Sequence, residues 1–330
     1  FLTRWNARRT QDRSRLVDGF LDSLRASQPG DPPPFYFLHL LLPHEPWVYL
    51  PSGQTFSPDV YLAGLGPDGN WVDDEWAVAR NYQRHLLQVR YADSILGAFL
   101  QRLEDAGHYD EALVIVTADH GASFRPGTSF RTPTETSFAD IASVPLLIKQ
   151  SRQREGSIVT RNVSMTDVVP TLAAELGVTL PWNTDGINVF DSVEPAPETK
   201  VLFYDGARER LEIPGDLDDA IVEGVARKFQ LFAAGDPYAE FRLHSYGDLV
   251  GKRVDEFIIR HPSDIAVTVD FPTLFAEVDR AADFVPAHIS GAVSGQEEAS
   301  EQPVLVVALN GVVAGVTRPY AFPVAGRLNK

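Results

Sequence analysis

Short apolar runs alternate along this chain with longer stretches in which apolar residues recur at helical spacing. The most apolar run is residues 112–116, and residues 35–42 and 144–148 form two more. Because these runs are rich in β-branched or aromatic residues and are bounded by turn-forming residues, we predict buried strands there. Two further strands are predicted at Val201–Tyr204 and Phe229–Ala233.

Helices are predicted between these strands. From Trp76 to Ala106 apolar residues recur every three to seven positions, and Gly107 marks the end of the helix. Asp167 is predicted to cap a second helix over Val168–Leu176, with Gly177 just past its end. This alternation predicts an α/β fold in which helices flank both faces of a mixed sheet.

The composition changes along the chain and predicts three segments. Residues 1–34 combine an arginine-rich amphipathic helix with a Pro-rich linker, and residues 35–244 carry the α/β pattern. Residues 245–330 are predicted to form a small β-rich appendage. That prediction rests on the runs Val304–Leu309 and Val312–Thr317, which Asn310-Gly311 joins as a typical hairpin turn.

The charge and the missing residue types exclude several partners and sites. A formal net charge of −16 argues against a nucleic-acid partner, because phosphate backbones are bound by clustered lysine and arginine. The chain has no cysteine, which excludes disulfides and thiolate metal ligands. No apolar run approaches the roughly 18 residues of a membrane span, although the basic N-terminal helix leaves a role at a membrane surface open.

The strand predicted at residues 112–116 leads into Thr117-Ala118-Asp119-His120-Gly121. Ligands of open α/β sheets usually lie at the carboxyl ends of strands, and an aspartate and a histidine in a turn there can reach one metal ion. The alternative is an acidic strand end whose aspartate caps the next segment.

A second candidate lies where the strand predicted at residues 35–42 ends in Pro43-His44-Glu45-Pro46. A histidine at such an edge can donate a hydrogen bond to an anionic oxygen or protonate a leaving group. The alternative is a surface-turn histidine between two prolines that only shape the turn.

Taken together, these motifs follow one another in a fixed order. They are His39-x4-His44-x-Pro46, Tyr91-Ala92-Asp93, Thr117-Ala118-Asp119-His120-Gly121, Val144-Pro145-Leu146-Leu147-Ile148-Lys149, Thr166-Asp167-Val168-Val169-Pro170-Thr171-Leu172 and Asp185-Gly186. This order resembles the C-terminal two-thirds of the sulfatase and alkaline-phosphatase-like superfamily. Within it, the sequence is most similar to the sulfatase-like membrane hydrolases and transferases, which include phosphoethanolamine and lipoteichoic-acid transferases. The resemblance covers about residues 35–235.

The resemblance implies roles for four residues. Asp119 and His120 match the family's metal ligands, and His44 matches the histidine that contacts the sulfate or phosphate group and acts in catalysis. His39 matches a histidine of the transferase branch and is a second candidate for substrate binding, or else a core residue. Because many sulfatases that favour calcium have Asp-Asn here, the Asp-His pair favours zinc or manganese.

The same resemblance implies what lies outside these motifs. The family's nucleophile and its first metal carboxylates precede the histidine-proline turn, and the residues before His39 contain neither motif. We therefore expect an incomplete domain that lacks its nucleophile, is inactive alone and holds its metal weakly or not at all.

For the full-length protein we expect a metal-dependent hydrolase or phosphotransferase. The resemblance places it on the extracytoplasmic face of a bacterial-type membrane, with a membrane anchor, where it acts on a small anionic ester or a lipid head group. The alternatives are a non-catalytic binding or scaffold relative and a phosphodiesterase of the same superfamily.

Overall fold

A computed structural model describes residues 16–26, 32–56, 62–159, 161–191, 198–206, 208–215, 218–231, 236, 238–258, 265–295 and 303–319. The helices are α1 (described over residues 16–23), α2 (Glu75–Asp105), α3 (Phe138–Ala142), α4 (Val168–Glu175) and α5 (Asp218–Leu231). The strands are β1 (Val114–Thr117), β2 (Leu146–Lys149), β3 (Thr199–Tyr204), β4 (Glu209–Pro214), β5 (Ala266–Val269), β6 (Gly291–Ser294), β7 (Leu305–Leu309) and β8 (Val312–Thr317). Within these ranges, no helix combines the length and apolarity needed to cross a membrane.

The long helix α2 organises the described part of the molecule. It begins after Asp74, whose carboxylate accepts a hydrogen bond from the backbone N–H of Ala77 at 2.8 Å, and its last residue is Asp105. Gly107 follows with φ +73°, a left-handed conformation that glycine adopts without a steric penalty. The predicted helix is confirmed to within one residue at each end.

The N-terminal helix is confirmed where it is described. Val17 of α1 is buried in a cluster with Leu42, Val48, Tyr49 and Ile95. Most of the predicted arginine face lies outside the described residues. Val17 and Leu21 of the apolar stripe therefore pack in this cluster, whereas Leu16 is 68% exposed.

Two predicted strands pair with each other. β1 and β2 form an antiparallel pair in which Val116 lies opposite Leu147. Strands and helices together are consistent with the α/β class, but every sheet within the described residues has two antiparallel strands. The mixed sheet with helices on both faces stays a prediction.

The strand predicted over residues 35–42 does not form a ladder in the structure. This segment is extended, and exposed residues alternate with more buried ones along it. Phe35 and Phe37 are both 76% exposed, whereas Leu42 is buried. The prediction of a buried strand is therefore wrong here, because within the described part of the chain no strand pairs with this segment.

The segment around Asp167 corrects two further predictions. α4 forms as predicted, but the Asp167 carboxylate does not cap it. The carboxylate instead accepts hydrogen bonds from the backbone N–H groups of Ser164 at 2.7 Å and Ile187 at 2.9 Å. The strand predicted at Phe229–Ala233 is also wrong, because residues 229–231 belong to α5; residues 232 and 233 lie outside the described part.

The last part of the chain is rich in β-hairpins, and it packs on earlier residues. β7 and β8 form the predicted hairpin, whose turn residues Asn310 and Gly311 have φ +51° and +77°. Val313 and Val316 of β8 pack with Trp76, at the start of α2. The segmentation into residues 1–34, 35–244 and 245–330 stays a prediction.

Candidate metal and anion site

Asp119 and His120 lie in the turn that follows β1, and both side chains reach solvent. One Asp119 carboxylate oxygen, Oδ1, accepts a hydrogen bond from the backbone N–H of His120 at 2.9 Å. The other oxygen, Oδ2, lies 3.8 Å from Nε2 of the His120 ring. The side chains of Asp119 and His120 are 86% and 39% exposed. The turn therefore presents a carboxylate oxygen and an imidazole nitrogen side by side.

A backbone carbonyl fixes the protonation pattern of His120. Its Nδ1 lies 2.7 Å from the carbonyl oxygen of Gly121. A carbonyl only accepts hydrogen bonds, so Nδ1–H is the donor and Nε2 carries the lone pair in the neutral ring. This is the arrangement by which outer hydrogen bonds commonly orient metal-binding histidines.

The pair fits part of a divalent-metal site. Because ligand bonds of zinc to nitrogen or oxygen are about 2.0–2.2 Å long, two donor atoms 3.8 Å apart can bind one ion together. Four ligands are usual for zinc, however, and the described residues hold no group of three or more histidine, aspartate or glutamate side chains that could bind a metal. Asp119 and His120 can therefore supply two ligands of such a site.

Close packing against α3 holds this turn in place. The Gly121 N–H donates to the carbonyl oxygen of Ile141 at 2.7 Å. A Cβ atom at position 121 would lie only 2.2 Å from the backbone oxygen of Asp140, so a larger residue would displace the turn or α3. The Asp140 carboxylate also accepts a hydrogen bond from Arg125 Nε at 2.7 Å.

His44 lies in an exposed turn whose backbone forms hydrogen bonds with a side chain of α2. Its ring Nδ1 lies 2.7 Å from the carbonyl oxygen of Glu45 and 3.3 Å from the carboxylate of the same residue. The Gln88 side chain donates to the His44 carbonyl at 2.7 Å and accepts from the Val48 N–H at 3.2 Å. The position of the turn is therefore set by a buried side chain of α2.

The His44 turn and the Asp119-His120 turn are anchored to the same aromatic cluster, formed by Trp47, Trp71, Phe124 and Phe130. The rings of Trp47, three residues after His44, and Phe124, four residues after His120, have centroids 5.5 Å apart. The Trp71 indole N–H donates to the carbonyl oxygen of Ser123 at 2.8 Å. The turns that carry His44, Asp119 and His120 are thus each connected, within four residues, to a ring of the same aromatic cluster.

A family model named Sulfatase matches residues 4–178. This match covers more than half of the 330 residues and includes both turns. The chain belongs to the sulfatase family. Sulfatases generally use a divalent metal ion, and the family match does not identify which one.

Two curated sulfatases are similar to parts of this chain. Arylsulfatase K from Xenopus laevis is 30% identical over 98 residues, which is 30% of this chain and 18% of that protein. Choline-sulfatase from Rhizobium meliloti is 28% identical over 150 residues, which is 44% of this chain and 28% of that protein. The chain thus spans less than a third of the length of either relative.

One solved structure with detectable similarity comes from Bacteroides thetaiotaomicron and is described as a sulfatase. It has 12% sequence identity and a TM-score of 0.32, and the match covers 70% of this chain and 62% of that one.

His39 lies on the exposed side of the extended segment. The hydrogen bonds within the described residues do not connect it to Asp119, His120 or His44. The prediction that it lies inside a buried strand is wrong, because residues 35–42 form no ladder. Its role in substrate binding stays a prediction.

The sequence interpretation missed a buried polar stripe on α2, of which Arg84 and Gln88 bond to the backbone around His44. Asn81, Arg84 and Gln88 are all buried, and Arg84 donates to the Trp47 carbonyl at 3.1 Å. These residues are spaced i, i+3, i+7 and therefore share one face of the helix. A polar stripe at this spacing within an otherwise apolar face was the signal that could have identified them.

Proposed function

We propose that this chain contributes part of the active site of a metal-dependent sulfatase-like hydrolase that acts on sulfate or phosphate esters. Membership of the sulfatase family and the similarity to an arylsulfatase and a choline-sulfatase support this proposal. The observation that carries it is the 3.8 Å separation of Asp119 Oδ2 and His120 Nε2, with His120 Nδ1 bonded to a carbonyl.

In this proposal Asp119 and His120 hold the divalent ion, for which zinc or manganese is favoured because one ligand is an imidazole nitrogen. Such an ion, when bound, neutralises charge on an ester group and activates a hydroxyl nucleophile. His120 donates a hydrogen bond from Nδ1–H to the Gly121 carbonyl oxygen, so that the lone pair of Nε2 can bind the ion. The hydrogen bond from the Gly121 N–H to the Ile141 carbonyl holds the turn that carries Asp119 and His120 against α3.

His44 acts on the ester in this proposal. The hydrogen bond from Nδ1 to the Glu45 carbonyl makes Nε2 the atom that contacts a sulfate or phosphate oxygen. The protonated ring can then donate to the leaving oxygen as a general acid. His39 is proposed as a further substrate contact on the exposed side of the extended segment.

The wider setting is also a proposal. The mixed sheet flanked by helices is proposed from the resemblance to the superfamily. The resemblance to sulfatase-like membrane enzymes is the basis for three further proposals. These are an extracytoplasmic, membrane-associated location, a lipid head group as substrate, and transfer as the alternative to hydrolysis.

The first test measures metal binding by the chain itself. Titration calorimetry with zinc chloride and separately with manganese chloride is expected to give one weak site per chain. Asp119→Asn and His120→Gln should each weaken it by at least about tenfold, because each removes one ligand of the pair. Asp22→Asn is the matched control, since its carboxylate is 77% exposed and lies 3.8 Å from an Arg102 nitrogen. Equal affinity of Asp119→Asn and wild type would exclude the proposed ligands.

The second test measures activity in the protein expressed from its complete reading frame. Hydrolysis of an aryl sulfate and an aryl phosphate should fall by at least about a hundredfold in His44→Ala, with a smaller change in KM, because the histidine assists the transition state. An unchanged kcat in this variant would remove His44 from the mechanism.

A second candidate is a non-catalytic relative of the family that serves as a binding or scaffold module. The observation that favours it is that no group of three or more metal-binding side chains lies within the described residues. Absence of both metal binding and ester hydrolysis in the complete protein would support this alternative.

A further inference from the structure

A cavity of about 210 Å³ lies in the C-terminal part of the chain, outside the proposed ester site. It is bounded by the residues that follow β5, by the short helical turn Pro272–Phe275 and by the segment that leads into β6. Three phenylalanine rings line it, those of Phe271, Phe275 and Phe284. Because drug-sized ligands need about 300 Å³ or more, this cavity suits a smaller molecule.

The three phenylalanine residues all contribute to the lining of the cavity. The ring contacts found among the described residues do not pair any two of Phe271, Phe275 and Phe284, so none is stacked against another. Phe271 is 66% exposed and has φ +49° and ψ +49°, a left-handed backbone that is unfavourable for a bulky residue. The Phe271 side chain therefore lines the cavity while most of it stays exposed to solvent.

A carboxylate lies at the same cavity. The backbone N–H of Asp270 donates to the Ser290 carbonyl at 2.9 Å, and its carboxylate accepts a hydrogen bond from the Ser290 hydroxyl at 2.8 Å. These two bonds fix Asp270 against the strand that closes the cavity. No ion pair found in the described part of the chain involves Asp270.

The surrounding segment carries a net negative charge. Residues 265–295 contain four carboxylates and one arginine, and His288 is the one imidazole among the cavity residues. An anionic ligand would be repelled here, whereas a cation gains from the carboxylate and from the negative faces of the rings.

We propose that this cavity binds a small organic cation of the quaternary ammonium class. Such a cation is large, apolar at its surface and weakly hydrated, so it can leave water and contact aromatic faces. Asp270 supplies the opposite charge, and the cavity volume limits the ligand to a compact trimethylammonium-sized group. This site is independent of the proposed ester hydrolysis.

The test uses choline chloride as the probe and 3,3-dimethylbutan-1-ol as its uncharged isostere, both titrated into the chain by calorimetry. Choline is expected to bind saturably with a millimolar dissociation constant, and the isostere should bind at least about tenfold more weakly because it lacks the charge. Equal binding of the two compounds, or no saturable binding of choline, would overturn the proposal.

Two variants locate the binding. Asp270→Asn and Phe284→Leu should each weaken choline binding about two- to fivefold, the range expected for loss of one partly exposed cation contact. Asp248→Asn and Phe190→Leu are the matched controls outside the cavity. Circular dichroism verifies folding, and because Asp270→Asn removes only a charge at the surface, it tests the proposal even if Phe284→Leu is unstable. Wild-type affinity in a folded Asp270→Asn variant would exclude this cavity.

Discussion

Two neighbouring stretches of this chain both contain large aromatic side chains, but these are buried to very different extents. In residues 35–41 the phenylalanines at 35 and 37 are 76% exposed. In residues 47–56, only a few positions later, Trp47, Tyr49 and Phe56 are at most 2% exposed. The His44 turn, which carries a candidate catalytic residue, lies between the two.

The difference arises from what surrounds each stretch. Arg84 and Gln88 of α2 satisfy backbone groups on both sides of Trp47, and the other rings of the aromatic cluster cover its side chain. Within the described residues, no strand pairs with residues 35–41. An apolar pattern thus indicates that burial would stabilise a segment, but burial occurs only where another segment of the chain packs against it.

The largest effect on the free energy of unfolding is expected from a substitution in the buried stretch, residues 47–56. Trp47→Ala should lower the free energy of unfolding by about 3–5 kcal/mol, because it removes a fully buried indole from the aromatic cluster. Phe37→Ala should change it by less than about 0.5 kcal/mol, because that ring is mostly exposed. Urea denaturation followed by circular dichroism measures both. Equal losses would show that residues 35–41 are buried in solution.

An intermediate effect is expected from the polar support of the His44 turn. Gln88→Ala should cost about 2–3 kcal/mol, because it leaves the His44 carbonyl and the Val48 N–H without their buried partner. Gln101→Ala is the control on the same helix, since that side chain is exposed and should change stability by less than about 0.5 kcal/mol. A loss no larger than that of the control would mean that water replaces Gln88 without cost.

The smallest effect is a pH dependence at the packed start of α2. His244 stacks on Trp76 with ring centroids 4.5 Å apart, and burial lowers the pKa of His244 below its ordinary value. Below that ordinary value the unfolded chain binds the proton more readily than the folded chain, so stability is lost as pH falls. His244→Phe keeps a stacking ring and removes the titration, so its unfolding free energy should fall less between pH 7 and pH 5, on either side of the ordinary value of about 6.5. Identical slopes in thermal unfolding across this range would contradict the assignment.

Elements that depend on local spacing were predicted well. The extent of α2 was predicted from the apolar spacing after Trp76 and from Gly107, and the β7–β8 hairpin from the left-handed preference of Asn310-Gly311. The Asp119-His120 pair could also be found, because two adjacent residues in one turn need no distant segment to bring them together.

Predictions that needed knowledge of a partner failed. Asp167 has the residue type and position of a helix cap, yet its carboxylate binds the N–H of Ile187, twenty residues away. The strand predicted at Phe229–Ala233 failed for a local reason, because residues 229–231 continue the helix α5. Only the Asp167 partner is not encoded in the residues around it.

The sequence by itself determined the order of the family motifs, the ends of α2, the C-terminal hairpin and the adjacency of Asp119 and His120. These features depend on backbone preferences and side chains within a few residues of one another. Only the tertiary structure decided which apolar runs are buried, how Gln88 supports the His44 turn, and that two histidine-bearing turns share one aromatic cluster. These outcomes depend on contacts between segments far apart in the chain, because burial and hydrogen-bond satisfaction belong to pairs of segments and a single segment does not determine them.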